Sequence, residues 1–413
     1  MEYFRGKRVT AKFKLSDEKK LFERRRRVNE LYFKYGISKR QIVMKERVSK
    51  RFVIDWTKSP DQDFTADDRG WPKGKGRCYT QSDTERIVQL HQKLTEDPTN
   101  FYHGATAVMQ EWRRQYPDKP APSVRTIGRI MKREGLTTPK RKKQKGAAAY
   151  LCYPEHTIYT TLGGRVLEAD FIGKKYIEGR TSPVNFIGFS FKKPPRMRYY
   201  QRIESQTSAC FIEQTKRFFD QFETPDYIKV DNCLATIGSG SAKRSVSQAV
   251  EFLFKRGVTP IFSVPRKPFT QASIEGNNSV FARNFWNRSH FTSLEQIDQE
   301  LQWFNDSSMR YTAYKRPSET TSTKQYSPLM YFLRQVREDE HQNAYIDVLN
   351  DKVPMEISLV NYYVLAEWKL EEEKLNVYLE KEKRAEKLFS KAFKLNNTSK
   401  KNLKSGGLFS FGT

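Results

Sequence analysis

The sequence predicts a multidomain α+β protein, with helical units first, an α/β core in the middle and a small β module near the end. Three observations lead there. The chain has 413 residues, more than one hydrophobic core usually organises. Its apolar residues keep helical spacing through the first third, then change from Arg165 onward to β-rich runs alternating with helices. Its charge divides the same way, with +19 of the net +27 carried by residues 1–150.

Composition narrows the function classes. Seventy-five Lys and Arg against 48 Asp and Glu point to a polyanionic partner, nucleic acid ahead of an acidic membrane surface. Hydrophobic residues are 37% and aromatics 13%, enough for cores, while the longest apolar runs are too short to span a bilayer. No membrane partner is therefore expected. The opening MEYFRGKRVTAKFKL has no apolar stretch of signal-peptide type, so a reducing, cytoplasmic compartment is expected. Cys78, Cys152, Cys210 and Cys233 are scattered without a CxxC pair, and the five histidines show no ligand spacing, which argues against a zinc finger.

In the first unit, Val28, Leu31, Tyr32 and Tyr35 keep helical spacing up to Gly36, which closes the helix. A second helix starts at Ser38. Val48 marks a tight turn, Ser49 is an N-cap, and Phe52, Val53 and Trp56 give a third helix an apolar face whose start carries Lys50 and Arg51. This is the layout of a helix-turn-helix, whose third helix lays a basic end in the major groove. A second unit of the same kind runs from Ser82. Ile87, Leu90 and Leu94 form one stripe, Val108 and Trp112 another, Ile127 and Ile130 a third. Its last helix begins at Pro122 and Ser123, carries Arg125 and Arg129 and ends before Gly135. Solvated charged faces on ordinary helices would give similar patterns. The coincidence of both with the +19 excess favours DNA contact.

In the core, RVLEADFIG, VNFIGFSF and MRYYQRIE read as three successive antiparallel strands. TSACFIEQTKRFFDQF follows as a helix, then YIKVDN as a strand, SVSQAVEFLFKRG as a helix, VTPIFSV as a strand and ASIEGNNSVFARNFW as a helix. That order predicts a central RNase H-like α/β core. Three acids fall where chemistry can use them: Asp170 inside the first strand, Asp231 at the end of the fourth, Glu275 in the first turns of the late helix. An acid in the otherwise apolar EADFIG run requires an explanation, because an unpaired buried charge is costly. Convergence on Mg²⁺ or Mn²⁺ supplies one, and two such ions suit in-line phosphoryl displacement. Asp231 also fits an Asx-type turn, and Glu275 a helix start favoured by the macrodipole. Arg266, Lys267, Arg283 and Arg288 lie on or near the late helix and are candidates to bind phosphates, or else a solvated face. Phe285 and Trp286 read as core, and Cys233 as a packing residue, since no suitable His accompanies it.

At EADFIG, IKVDN and QASIEGNNSVFARNFWN, roughly within 160–310, the sequence resembles the DDE integrase core shared by insertion-sequence transposases and retroviral-type integrases. Asn278 and Phe281 sit where that family has an asparagine and an aromatic after the glutamate. The resemblance implies a transposase that cuts transposon ends and joins their 3′-hydroxyls to target DNA with Mg²⁺, Asp170, Asp231 and Glu275 being catalytic metal ligands. It implies double-stranded DNA partners (transposon ends and target), a homo-oligomer and a DNA-associated, nucleoid setting; a helper ATPase stays open. The chain departs from the pattern in three places. Forty-three residues separate Asp231 from Glu275, more than the family usually has, and LATIGSGSAKRS absorbs the excess as a longer mobile loop. Cys233 and Gly276 stand where the family often has Gly and a basic residue. A catalytically inactive transposase-derived DNA-binding protein and an RNase H-like nuclease remain as alternatives.

Beyond the core, LEQIDQELQWFN reads as an amphipathic helix, Tyr311 to Pro328 as a polar loop, and 357–380 as two or three strands of a small C-terminal β-barrel. The expected divisions are helix-turn-helix units at 1–60 and 81–136, a linker at 61–80, a basic linker at 137–155, the core at 156–310, a connecting segment at 311–340, the barrel at 341–380 and a basic, partly disordered tail at 381–413.

Overall fold

Val28, Leu31, Ile42, Val53 and Trp56 are the apolar positions of three short helices, α1 (Glu18–Phe33), α2 (Lys39–Glu46) and α3 (Lys50–Asp55), and they close into one cluster. Local signals set the helix ends. Ser38 and Gln41 form a capping box on α2, Ser49 accepts from Phe52 N (3.1 Å) to start α3, and Arg47 reverses the chain between them with φ 50°. Arg25 lies 4.3 Å above the Trp56 ring. The computed structural model describes residues 18–64, 79–137, 157–238, 240–267, 271–316 and 328–405, in two compact units divided after Cys78. Most of both expected linkers, part of the 311–328 loop and the last eight residues lie outside the described residues.

The second unit opens with α4 (Gln81–Glu96), α5 (Ala105–Gln115) and α6 (Val124–Arg133), packed around Ile87, Leu90, Val108, Trp112, Ile127 and Met131. The sequence reading sets 81–136 apart from the core, whereas here the α4–α5 loop is part of it. Phe101 and Tyr102 enter a cluster with Phe281, Phe285 and Phe304, and Phe101 N donates to Ser307 Oγ (3.0 Å). A pair of aromatics in a loop carries no periodicity, so the junction is invisible to pattern reading.

The core follows in the expected order: β1 (Val166–Lys175), β2 (Val184–Phe191), β3 (Met197–Ile203), α7 (Ser208–Gln221), β4 (Tyr227–Val230), a single turn α8 (Leu234–Ile237), α9 (Gln248–Lys255), β5 (Thr259–Phe262), α10 (Ala272–Phe281) and α11 (Leu294–Thr312). β1, β2 and β3 are antiparallel neighbours, and β4 and β5 run parallel to β1, giving the spatial order β3-β2-β1-β4-β5. A large mixed sheet of this order is consistent with an RNase H-like core. The continuous apolar run of β2 is explained by cover on both faces. Phe189 and Phe191 join the cluster containing α7 and α9, while Phe186 joins that of α10 and α11. The β3 edge is closed by Asn305 of α11, which accepts from Tyr200 N (2.9 Å) and donates to Tyr200 O (2.8 Å) as a neighbouring strand would.

The C-terminal third differs from the expected barrel. Strand β6 (Leu329–Gln335) pairs parallel with β5, β7 (Arg337–Glu338), β8 (Ala344–Val348) and β9 (Asp351–Pro354) form a small separate sheet, and β10 (Tyr363–Lys369), β11 (Lys374–Lys381) and β12 (Arg384–Ala392) continue from β6. The result is one open nine-stranded sheet, β12-β11-β10-β6-β5-β4-β1-β2-β3. The connecting segment at 311–340 and the tail at 381–413 thus contain strands of this sheet, β6 and β12, and helix α12 (Asn397–Ser405) follows. The reason is the apolar face of β6 and β10: Phe332, Val364, Ala366 and Trp368 share one cluster with Leu167, Phe218 and Leu253. An edge on β5 able to accept a strand makes continuation of the sheet available where the sequence suggested closure.

Candidate active site

Side chains alternate along a strand, so Glu168 and Asp170 leave one face of β1, and Lys229 and Asp231 leave the matching face at the end of β4. Glu168 stands opposite Lys229 in the parallel register. Two residues further along each chain come Asp170 and Asp231. Glu275 lies in the first turn of α10, which packs over β1 and β2. All three carboxylates line one open cleft of about 380 Å³, together with Asn232, Cys233, Ser263, Arg266, Lys267 and Gln271.

The electrostatics of the cleft follow from this crowding. Burial, then the neighbouring Asp231 charge and more weakly Glu275, pushes the Asp170 carboxyl up to about 7. The hydrogen bond from Asn278 Nδ2 to Asp170 Oδ2 (2.8 Å) acts the other way and orients the carboxylate. Asn278 reaches it because Gly188 stands opposite Asp170 in the β1–β2 register. A Cβ at Gly188 would come within 2.9 Å of the Tyr200 ring and 3.4 Å of Asn278 Oδ1. Burial raises Glu275 as well. Asp231 Oδ1 accepts from Cys233 N (3.3 Å), so the Asx turn and the cleft position occur together. Burial and then Asp231 push the Cys233 thiol up to about 11, which keeps it protonated and suits a packing role.

Behind the acids lies a buried ion pair that hydrophobic periodicity does not reveal. Lys229 Nζ is 3.7 Å from Glu168 Oε1, each side chain 1% exposed, and Tyr159 donates its hydroxyl to the same carboxylate. Burial pulls the Lys229 ammonium below its ordinary range, opposed by Glu168. Both residues interrupt apolar strands, as Asp170 does, and that interruption was the available signal.

The basic candidates separate. Arg266 and Lys267 line the acid cleft, Arg266 with φ 57°, a backbone conformation rarely held by non-glycine residues. Arg283 is exposed beyond the cleft and donates to Ser279 O (3.2 Å). Arg288, expected near phosphates, donates instead to Asn100 O (2.7 Å) and lies 4.6 Å above the Phe101 ring, securing the α4–α5 loop. Arg125 and Arg129 are exposed on α6, and Lys50 and Arg51 on α3 in the other unit, where Arg51 pairs with Asp55 at 3.1 Å.

The expected mobile loop after Asp231 is tied down among its described residues. Asn350 Nδ2 donates to Ala242 O (3.2 Å), Asn396 Nδ2 to Lys243 O (3.0 Å), and Val246 N to Ser399 Oγ (3.0 Å). Its partners lie more than a hundred residues away, so composition alone reads it as loose.

The three carboxylates offer hard oxygen donors, which suit Mg²⁺ or Mn²⁺, and the mutual repulsion at Asp170 is what a cation would relieve. Among the described residues, however, no group of three His, Cys, Asp or Glu side chains is drawn together tightly enough to hold a metal ion. The acids share the cleft without closing into a ligand cage. No helix among the described residues is long and apolar enough to cross a membrane.

No known family model matches the chain, and no curated protein matches it. Among solved structures it is similar to a chain of a simian T-cell lymphotropic virus intasome in complex with PP2A regulatory subunit B56 gamma, at 11% identity over 74% of this chain and 98% of that one, TM-score 0.30. It is also similar to the Mos1 transposase paired-end complex with left transposon end, at 12% identity over 70% and 92%, TM-score 0.26. At those scores neither likeness carries weight, and the functional reading rests on this chain's own residues.

Proposed function

We propose that the chain is a DNA transposase of the DDE integrase type, binding transposon ends through its helical units and cleaving and joining DNA at the acid cleft. One observation carries the reading: Asp170, Asp231 and Glu275, from two adjacent parallel strands and a helix start, line a single cleft together with Arg266 and Lys267. In this reading the three carboxylates, which do not form a ligand cage as they stand, would hold Mg²⁺ or Mn²⁺, and the metal would supply charge stabilisation for phosphoryl transfer. Asn278 orients Asp170, while Arg266 and Lys267 bind phosphates beside the scissile bond. The helix-turn-helix reading assigns end recognition to α3 (Lys50, Arg51) and α6 (Arg125, Arg129), with Arg283 a further phosphate contact. Cutting and joining two ends together calls for a homo-oligomer.

The test is a strand-transfer assay with full-length protein, Mg²⁺, the DNA flanking its coding sequence as donor and a supercoiled plasmid as target. Joined products are expected. Nicks without joining would indicate a nuclease, and binding without either a DNA-binding protein descended from a transposase.

A further inference from the structure

Arg334 lies in β6, the first strand beyond the five core strands, and is 4% exposed. A buried guanidinium normally has a carboxylate partner, because desolvating an uncompensated charge is costly. Here every acceptor is neutral. Nε donates to Asp347 O (2.5 Å), Nη1 to Ser263 O (2.9 Å) and Leu333 O (2.8 Å), and Nη2 to Asn232 Oδ1 (3.0 Å). The Asp347 carboxylate offsets part of the burial cost through its charge but makes no hydrogen bond to the guanidinium, accepting from Asn350 N (3.1 Å). Asn232 follows Asp231 in the chain and donates from Nδ2 to Ser263 O (2.6 Å), so Arg334, Asn232 and Ser263 form a closed three-way junction. Asn232 and Ser263 both line the acid cleft.

We propose that Arg334 is a positioning residue for Asp231: by holding both Asn232 and the Ser263 carbonyl, it sets the turn that presents Asp231 to the cleft. The other end of the same loop is held by Asn350, Asn396 and Ser399 at residues 242–246. The chain beyond β5 thus holds the Asp231 loop at both ends, through a strand residue at one and through a turn and the start of α12 at the other. The fork geometry of arginine matters, since its nitrogens reach three separate segments, a task a lysine ammonium performs poorly. The catalytic part of this inference rests on the proposed function; the structural part does not.

The experiment compares Arg334→Met, Arg334→Lys, Asn232→Ala and Arg334→Met/Asn232→Ala in the full chain. Amide hydrogen exchange over 232–238 is measured in EDTA, and turnover and DNA affinity are measured with Mg²⁺. Arg334→Met is expected to speed exchange in that window and to lower turnover roughly 100-fold, the scale of a small misplacement, with DNA affinity unchanged. Asn232→Ala should do the same, and the double variant should be no worse than the worse single, since both break one junction. Losses that multiply, or exchange unchanged over 232–238, would overturn the proposal. Should Arg334→Met fail to fold, Arg334→Lys and Asn232→Ala decide by the same exchange window. If the wild-type chain shows no cleavage, the transposase reading fails, and exchange still decides whether Arg334 holds the turn.

Discussion

Asp170 is a residue kept at the expense of stability. Its carboxyl is raised from the ordinary carboxylate value to about 7, so ionisation opposes folding progressively from about pH 4 to 7 and by a constant amount above. Asp170→Asn, which still accepts from Asn278, is therefore expected to stabilise the protein in EDTA by roughly 1–3 kcal/mol at pH 8, the ceiling lowered for partial solvent screening. The gain should vanish near pH 4. Denaturant melts at the two pH values check this, and a gain equal at both would contradict it. Asp231→Asn probes chemistry instead. Asparagine keeps the Asx turn to Cys233, so fold and DNA affinity should be retained while cleavage and joining are lost; a parallel loss of affinity would refute the catalytic role. These acids were legible in the sequence because a charge inside an apolar strand is anomalous on its face. Arg334, in MYFLRQV, is the same kind of anomaly, but its role is not legible locally, since its partners come from three other segments.

At the scale of elements, α6 presents Arg125 and Arg129 to solvent while Ile127, Ile130 and Met131 face inward. If the exposed face contacts phosphates, Arg125→Ala and Arg129→Ala should each weaken DNA binding and reduce the log–log salt slope by about 1. An unchanged slope in both would assign the face to plain solvation. The caps of these helices were readable at Ser38, Ser49 and Ser123 because N-cap chemistry is local, involving a hydroxyl and an amide three residues on. The junction of the α4–α5 loop with α11 and the Phe285 segment was not, since it depends on Phe101, Asn100 and Arg288 meeting across nearly two hundred residues.

For the whole molecule, the nine-stranded sheet changes what a truncation does. A barrel appended to the core would detach cleanly, but Phe332, Trp368 and Val377 belong to the same cluster as Leu167 and Phe218. Ending the chain after Arg316 should therefore abolish the cooperative thermal transition of the second unit, whereas a fragment of 79–413 should keep it. A cooperative 79–316 fragment would show the extension to be dispensable. The amino-acid sequence by itself determined the helices of the first third, the order of elements in the core and the candidacy of three acids, because periodicity, capping and a misplaced charge act over a few residues. Only the tertiary structure decided that β6 and β10 to β12 extend the central sheet, that the Asp231 loop is tied down, and that Arg334 reaches Asn232. Sheet edges and buried polar junctions are settled by which distant surfaces complement one another, and a linear pattern holds no record of that pairing.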